Sequence, residues 1–260
     1  MLKKQKVNTN AKKNSVPSPN CLVSSSPRRP IPKLIHYCWF GSRPYSRTVR
    51  KCIATWHKHL SNYEFFLWNE ETCAIYAAAH NLSNPMEHPF VKGAYAAKKY
   101  AFVADYVRFW ALYHCGGVYL DTDMYVVRNM DDILDADFFA AWESETMNIV
   151  SCGVLGASKE CACIEQILAK YDILVFDANH LDQFIVPRII TPIVSGDSTA
   201  KIYSYDYFYA FPFSKRMEKD FMKYKTTNSY AIHLWDISWY PWYKKIIRQI
   251  VIEIKKILHA

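Results

Sequence analysis

The stretch from Gly116 to Asp123 has the sequence GGVYLDTD, in which two glycines, a short apolar run and two aspartates follow one another directly. The apolar run Val118–Leu120 predicts a buried strand, because it is bounded by glycine on one side and polar residues on the other. In an extended chain, residues two positions apart point to the same side. The stretch therefore predicts a strand that ends in neighbouring carboxylates from Asp121 and Asp123.

Such a carboxylate pair needs a partner of opposite charge or a proton. Two carboxylates about 5 Å apart repel each other by about 3 kcal/mol at an effective dielectric constant of about 20. Protonation of one carboxyl, a nearby arginine or a divalent cation would each offset the repulsion, and hard oxygen ligands suit Mg²⁺ or Mn²⁺. An isolated pair is more often a solvated turn, so the surrounding residues must decide.

The segment before the glycines predicts the longest helix, over Gly93–Cys115, and carries two charged residues among apolar ones. Asp105 and Arg108 are three positions apart and therefore share a face of that helix. Burying either charge without a partner would be costly. Two interpretations are open: a structural ion pair, and a clamp for sugar hydroxyls in which the aspartate accepts and the arginine donates.

Strands and helices alternate along the rest of the chain. Strands are predicted over 31–40, 64–68, 118–127, 138–142, 149–155, 203–210 and 230–235. Further helices are predicted over 46–60, 161–171, 182–193 (broken by Pro187 and Pro192) and 246–258. This order indicates an α/β fold with a mainly parallel central sheet flanked by helices. The glycine-rich fingerprints of dinucleotide-binding and P-loop folds do not occur.

Charge divides the chain into three parts. Of 260 residues, 51% are hydrophobic and 22% charged, which predicts one large domain with extensions. Residues 1–33 hold eight basic residues and no acid, whereas residues 34–243 hold 19 basic and 23 acidic residues. We predict a disordered basic arm over 1–29, a domain over 30–243 and a basic amphipathic helix over 244–260. An acidic body does not favour nucleic acid as a partner.

The terminal helix and the cysteines bear on location. The helix over 244–260 combines an apolar stripe with five basic residues, so it either packs on the domain or lies on an anionic membrane surface. None of the eight cysteines forms a C-x-x-C pair, which favours buried thiols in a reducing compartment. Without a secretory signal or a spanning helix, we expect a cytoplasmic protein, with a peripheral position on the inner face of the cell membrane as the alternative.

Three segments, in order, resemble glycosyltransferase family 32. The first is AYAAKKYAFVADYVR with GGVYLDTDMY, the D-x-D sugar-binding region, within 94–134. IPKLIHYCWFG over 31–41 resembles the family's opening strand, and YAIHLWDISW over 230–239 resembles its closing segment. The family includes bacterial capsular and lipopolysaccharide transferases and is similar to yeast initiating mannosyltransferases.

The resemblance implies an A-type glycosyltransferase fold that uses a nucleotide-sugar and Mn²⁺ or Mg²⁺. It places the metal on Asp121, Asp123 and His233, with Asp123 the more direct ligand, and the donor sugar on Asp105, Arg108 and Asp121, the catalytic set. It implies that Trp39 stacks on the base and that Ser238 and Trp239 donate to the diphosphate. Without the resemblance, both tryptophans would be interpreted as core aromatics and His233 as a core histidine.

The function that follows is transfer of a hexose, with retention, from a UDP-linked donor to a glycan or lipid-linked saccharide in surface polysaccharide or lipopolysaccharide synthesis. Two alternatives remain. One is a metal-dependent phosphodiesterase or hydrolase that uses the same aspartates, although such sites usually gather more ligands than the nine scattered histidines suggest. The other is a non-catalytic membrane-surface adaptor, which would not need the four charged residues of the helix–strand unit.

Overall fold

The computed structural model describes residues 30–236. The arm predicted over 1–29 and the helix predicted over 244–260 lie outside these residues, and so do Ser238 and Trp239. The domain boundaries at residues 29/30 and 243/244 therefore stay predictions.

The described residues form eight strands and six α-helices, joined by loops and short 3₁₀ turns. The strands are β1 Leu34–Cys38, β2 Glu64–Trp68, β3 Gly117–Leu120, β4 Met124–Val126, β5 Phe138–Trp142, β6 Val150–Ala157, β7 Ala200–Tyr203 and β8 Ala231–His233. The helices are α1 Arg47–His59, α2 Glu70–Ala79, α3 Pro89–Ala96, α4 Tyr100–Cys115, α5 Ala162–Asp172 and α6 Val186–Gly196.

Six strands form one central sheet in the order β2-β1-β3-β6-β5-β7, and β4 pairs with β8 in a separate ribbon. All strands of the central sheet run the same way except β6, which is antiparallel to both β3 and β5. The predicted α/β fold with a mainly parallel sheet is confirmed.

Alternating side chains of the sheet enter two separate cores. Tyr119 packs with residues of α4, α5 and α6 on one face. Its neighbours Val118 and Leu120 pack with residues of α1 and of the β4–β8 ribbon on the other face. This alternation is the period-two pattern of a strand buried on both sides. Because Asp121 follows this strand, the sheet holds it between the helices of one face and the ribbon of the other.

Several predicted elements differ in extent. The single helix predicted over 93–115 is two helices, α3 and α4, because Lys98 adopts a left-handed φ of 56° between them. The strand predicted over 118–127 is β3 and β4, with the aspartates in the turn that separates them. The strand predicted over 203–210 is wrong: β7 ends at Tyr203 and a 3₁₀ turn follows over Tyr205–Tyr207.

Helix α2 was not predicted, and α6 begins and ends later than the helix predicted over 182–193. A capping box opens α2, in which the side chains of Asn69 and Thr72 each accept from the other's backbone N–H. Pro187 lies in the first turn of α6, where its missing N–H costs nothing. Pro192 lies inside α6 without ending it, so the predicted break there is wrong.

The seven cysteines among residues 30–236 are free thiols, of which five are buried and two half-buried. No helix in this part of the chain is long and apolar enough to span a membrane.

A buried histidine connects β1 to the glycines that precede β3. The indole N–H of Trp68 donates to Nδ1 of His36 at 3.0 Å, so Nε2 carries the proton and donates to the Gly116 carbonyl oxygen at 2.7 Å. Burial lowers the pKa of His36 to about 4, although the bond to Gly116 opposes it. The backbone passes so close here that a Cβ on Gly117 would lie 2.5 Å from the Leu34 carbonyl oxygen.

We expect this histidine to make stability fall in mild acid. The unfolded chain binds a proton at His36 near pH 6.5, whereas the folded protein binds it only near pH 4. Stability is therefore lost as the pH falls through that window, by about 2 kcal/mol at pH 5. Urea unfolding of the wild type and of His36→Gln at pH 7.5 and pH 5 measures the difference. The same loss in both proteins would show that His36 is not its source.

Candidate active site

The two aspartates lie at the carboxyl end of β3. The backbone N–H of Asp121 donates to the Gly153 carbonyl oxygen of β6 at 2.8 Å, which continues the hydrogen bonding between β3 and β6 by one residue. The chain then turns, with the Met124 N–H donating to the Asp121 carbonyl oxygen at 3.0 Å, and enters β4. The carboxylates are thus brought together by a turn, and the extended geometry expected for Asp121–Asp123 does not occur.

Asp123 pairs with a histidine from the end of the chain. The register of β4 and β8 sets Met124 opposite His233, and Nε2 of His233 lies 3.1 Å from Oδ1 of Asp123. The backbone N–H of Asp236 donates to Oδ2 at 2.8 Å. Burial alone would raise the pKa of Asp123, but His233 and these bonds hold it below its usual value. Burial alone would lower the pKa of His233, but Asp123 raises it. Both shifts favour an ion pair, and a divalent cation bound to His233 would displace a proton from the imidazole.

The residues present fit a divalent cation. Asp121, Asp123 and His233 each offer one ligand atom, and these atoms all lie within 4.8 Å of one another. Two carboxylate oxygens and an imidazole nitrogen suit Mn²⁺ well and Mg²⁺ through the oxygens. The other ring nitrogen of His233, Nδ1, is buried without a hydrogen-bond partner among the described residues. The predicted ligands are thus assembled, and their role as ligands stays a prediction.

Arg108 of α4 contacts the carboxylates of both Asp105 and Asp121. Its Nη2 contacts Oδ1 of Asp105 at 2.6 Å and its Nη1 donates to the Cys152 carbonyl oxygen at 2.8 Å. Nη1 also lies 3.5 Å from Oδ1 of Asp121, and the guanidinium lies 4.6 Å from the centre of the Tyr119 ring. Arg108 is only 4% exposed. The structural ion pair with Asp105 forms, and each aspartate of the acidic pair has its own cation.

Asp105 has an unusual pKa for a carboxyl group. Burial raises it to about 7, with Arg108 opposing that rise and Asp121 adding to it. The side chains of Asp105 and Asp121 are 14% and 27% exposed, against 5% for Arg108. The groups that a substrate can reach are thus the two carboxyls.

Trp39 lies at the same edge of the sheet, directly after β1, which runs parallel to β3. Its indole N–H donates to the Arg43 carbonyl oxygen at 2.6 Å, and the ring of Tyr45 contacts it edge-on with the ring centres 5.0 Å apart. It is half-buried, so the ring retains an exposed part. Stacking on a base stays a prediction for Trp39.

Sequence reasoning missed two tyrosines and a glycine at this site. The Tyr119 hydroxyl donates to Oδ1 of Asp121 at 3.0 Å. The Tyr209 hydroxyl accepts the Val154 N–H at 2.9 Å beside Gly153. Tyr119 lay within the quoted stretch, where its only signal was an aromatic ring two positions before an aspartate. Tyr209 gave no signal, because a strand was predicted where the chain turns.

Gly153 is expected to be essential for the position of Asp121. A Cβ at this glycine would lie 3.1 Å from Oδ2 of Asp121 and 3.3 Å from the Tyr209 hydroxyl oxygen. Gly153→Ala should therefore displace the carboxylate and reduce sugar transfer about tenfold to a hundredfold, with little change in melting temperature. Gly196→Ala is the matched control, because a Cβ there meets nothing within 4 Å. Equal rates for the two variants would contradict this role.

Part of this chain is similar in sequence to known glycosyltransferases. Residues 46–140 match the model of the family described as "Glycosyltransferase sugar-binding region containing DXD motif". Inositol phosphoceramide mannosyltransferase 3 of Schizosaccharomyces pombe is 28% identical over 160 residues, which are 60% of this chain and 41% of that protein. An uncharacterized glycosyltransferase of Acanthamoeba polyphaga mimivirus is 25% identical over 219 residues, 81% of this chain and 84% of that protein.

The chain thus spans less than half the length of the yeast relative. Among solved structures, the PaToxG glycosyltransferase superposes with a TM-score of 0.50 at 19% identity, covering 65% of this chain and 71% of that chain. This similarity shows the fold, which is the A-type glycosyltransferase fold. Residues 46–140 are similar to the D-x-D sugar-binding region of glycosyltransferases, which confirms the resemblance to family 32 seen in the sequence.

Proposed function

We propose that this protein is a metal-dependent glycosyltransferase that moves a hexose from a nucleotide-sugar, UDP-linked, to a glycan or lipid-linked saccharide, with retention. The observation that carries the proposal is the cluster of Asp121, Asp123 and His233 at the end of β3. Its two aspartates lie in residues 46–140, the segment that matches the sugar-binding family, and the pairing of β4 with β8 brings His233 to them. Ligands of open α/β sheets bind at the carboxyl ends of the strands, which is where this cluster lies.

The residues of the candidate site have different proposed roles. Asp121, Asp123 and His233 would hold Mn²⁺ or Mg²⁺, which when bound neutralises the diphosphate of the donor and of the departing nucleotide. Asp105 and Asp121 present the exposed carboxyls that can bind sugar hydroxyls. Arg108 orients both carboxyls and keeps the charge of Asp121 in place.

The acceptor belongs to the proposal as well. The yeast relatives are named for transfer to inositol phosphoceramide, a lipid, which supports a lipid-linked acceptor here. We propose that the product enters a surface polysaccharide or lipopolysaccharide and that transfer takes place on the cytoplasmic side, with the protein bound peripherally to the membrane.

A panel of nucleotide-sugars tests donor binding. A donor at a hundred times its dissociation constant stabilises the native state by about 2.7 kcal/mol. The melting temperature of the protein should therefore rise with the donor, but only when Mn²⁺ or Mg²⁺ is present. Nitrophenyl phosphodiesters test the hydrolase alternative, and we expect no turnover of these. Turnover of the phosphodiester without a shift by any nucleotide-sugar would favour the hydrolase. Absence of both would favour the adaptor.

The basic segment over 244–260 lies outside the described residues and carries its own prediction. Deleting it should release the protein from anionic vesicles and spare hydrolysis of a soluble donor, because each basic residue near such a surface adds about 1 kcal/mol. Co-sedimentation at low and high salt measures this, since salt screens the attraction. A large fall in melting temperature, with no vesicle binding by the intact protein, would show that the segment packs on the domain.

A further inference from the structure

A ten-residue segment next to the candidate site exposes apolar side chains to solvent. Phe213, Met217 and Met222 are 37%, 64% and 40% exposed. The chain here forms two 3₁₀ turns, Phe213–Lys215 and Phe221–Tyr224, and packs inward through Phe211 and Phe221, whose ring centres are 6.3 Å apart. We call residues 212–225 the apolar-basic loop.

The same loop concentrates positive charge on an acidic domain. Of the 19 Lys and Arg in residues 34–243, five lie in residues 215–225, against two of the 23 acids. One of those acids, Glu218, contacts both Lys215 and Lys223, so its charge is already neutralised. Lys51 of α1 adds a further cation, with Nζ 5.0 Å from the centre of the Phe221 ring. Apolar side chains surrounded by cations are the pattern of a surface that enters an anionic lipid interface.

The two most exposed large apolar residues of the described part of the chain lie in a different setting. Ile173 and Val175, in the loop after α5, are 74% and 84% exposed, more than Phe213, Met217 or Met222. The charged residues within three positions of them are Lys170, Asp172 and Asp177, one cation against two acids. An anionic membrane would repel this second site, so apolar exposure alone does not distinguish the two loops and charge does.

Two ring contacts connect the apolar-basic loop to the metal cluster. Phe213 meets Trp235 edge-on with the ring centres 5.4 Å apart, and Trp235 lies 3.9 Å from His233. The Trp235 indole N–H also donates to the Phe211 carbonyl oxygen at 2.7 Å, which fixes the loop against the end of β8. A membrane on this loop would therefore lie beside the candidate site.

We propose that the apolar-basic loop is a docking surface for an anionic membrane, with Met217 and Met222 inserted among the lipid headgroups and Lys215, Lys219 and Lys223 over the lipid phosphates. The surface is separate from the basic segment over 244–260. The suggestion that this loop presents the site to a lipid-linked acceptor rests on the proposed function. Binding of the loop to vesicles does not depend on catalysis.

The test compares two double variants of the full chain in co-sedimentation with vesicles of phosphatidylserine and phosphatidylcholine. We expect Met217→Asp with Met222→Asp to lower the partition coefficient about tenfold or more, because each change removes an apolar contact and adds repulsion. Ile173→Asp with Val175→Asp is the matched control and should bind like the wild type. Melting temperatures of both variants should stay close to that of the wild type, since all four side chains are exposed.

Three results would overturn the proposal: vesicle binding by the methionine variant that equals wild type, equal losses in both variants, and equal binding of the wild type to neutral vesicles. Wild-type binding by the methionine variant would assign the membrane contact to residues 244–260 or leave the loop to a protein partner. Hydrolysis of a nucleotide-sugar, measured without vesicles, reports separately on the proposed function. If Met217→Asp with Met222→Asp loses vesicle binding and the wild type hydrolyses no donor, the loop is a membrane contact and the protein is not the proposed transferase.

Discussion

Replacing Asp123 by asparagine is expected to reduce sugar transfer about a thousandfold or more while the protein stays folded. Asparagine keeps an acceptor for the Asp236 N–H, which in the wild type donates to Oδ2 of Asp123 at 2.8 Å, so this contact can persist. It removes the charge that faces His233 and one of the two oxygen ligands of the cluster. Loss of a charged ligand acts mainly on the transition state, in which the leaving diphosphate gains charge.

Asp121→Asn should have a similar effect on transfer, and Asp135→Asn is the control for both, because Asp135 is an exposed carboxylate away from the cluster. The sequence alone suggested that removing either member of a repelling pair would leave stability unchanged or higher. The structure changes that expectation, because Arg108 and His233 already offset the repulsion. Each variant should therefore lose about 1 kcal/mol of stability. Wild-type transfer by either variant, with unchanged metal dependence, would contradict the assigned roles.

Arg108→Lys is the second variant with a large expected effect. The guanidinium contacts three partners at once: the Asp105 carboxylate, the Cys152 carbonyl and the Asp121 carboxylate. A lysine ammonium is a single point donor on a flexible stem and cannot hold this planar arrangement. Since Arg108 is 4% exposed, solvent does not replace the lost contacts. We expect about 2 to 4 kcal/mol lower stability and at least about a hundredfold slower transfer.

Urea unfolding and donor hydrolysis at saturating Mn²⁺ measure the two effects of Arg108→Lys. Arg188→Lys is a suitable control, because Arg188 is an exposed residue of α6. Equal stability and rates for Arg108→Lys and the wild type would mean that Asp105 and Asp121 do not need the guanidinium.

Local patterns were enough to predict the central elements of the fold. The strand after Gly117 and the helix before Gly116 were predicted because an apolar run and a helical run meet at two glycines. Strands β2 and β5 were predicted with their observed bounds because each is a short apolar, aromatic-rich run next to polar residues. The break between α3 and α4 was not predicted, because the left-handed φ at Lys98 follows from tertiary packing and has no signal in residues 97–99.

Site residues that lie within one local motif were predicted from the sequence, whereas residues that only tertiary contacts bring to the site were missed or needed the resemblance. Asp105, Arg108 and the aspartate pair follow one another within a short segment, so their proximity was predictable from spacing. His233 could be assigned only through the resemblance, because the β4–β8 pairing that brings it to Asp123 joins segments over a hundred residues apart. Tyr209 and Gly153 act through backbone geometry, which a single sequence does not reveal.

Turnover of a panel of nucleotide-sugars by the purified full-length protein tests the central claim most directly. Release of the nucleotide is measured with Mn²⁺, with Mg²⁺ and with EDTA, in parallel with Asp123→Asn. We expect release from at least one donor, and we expect this release to require a divalent cation and to be lost in Asp123→Asn. A folded protein that releases no nucleotide from any donor with either metal, or that releases it equally well in EDTA, would contradict the account.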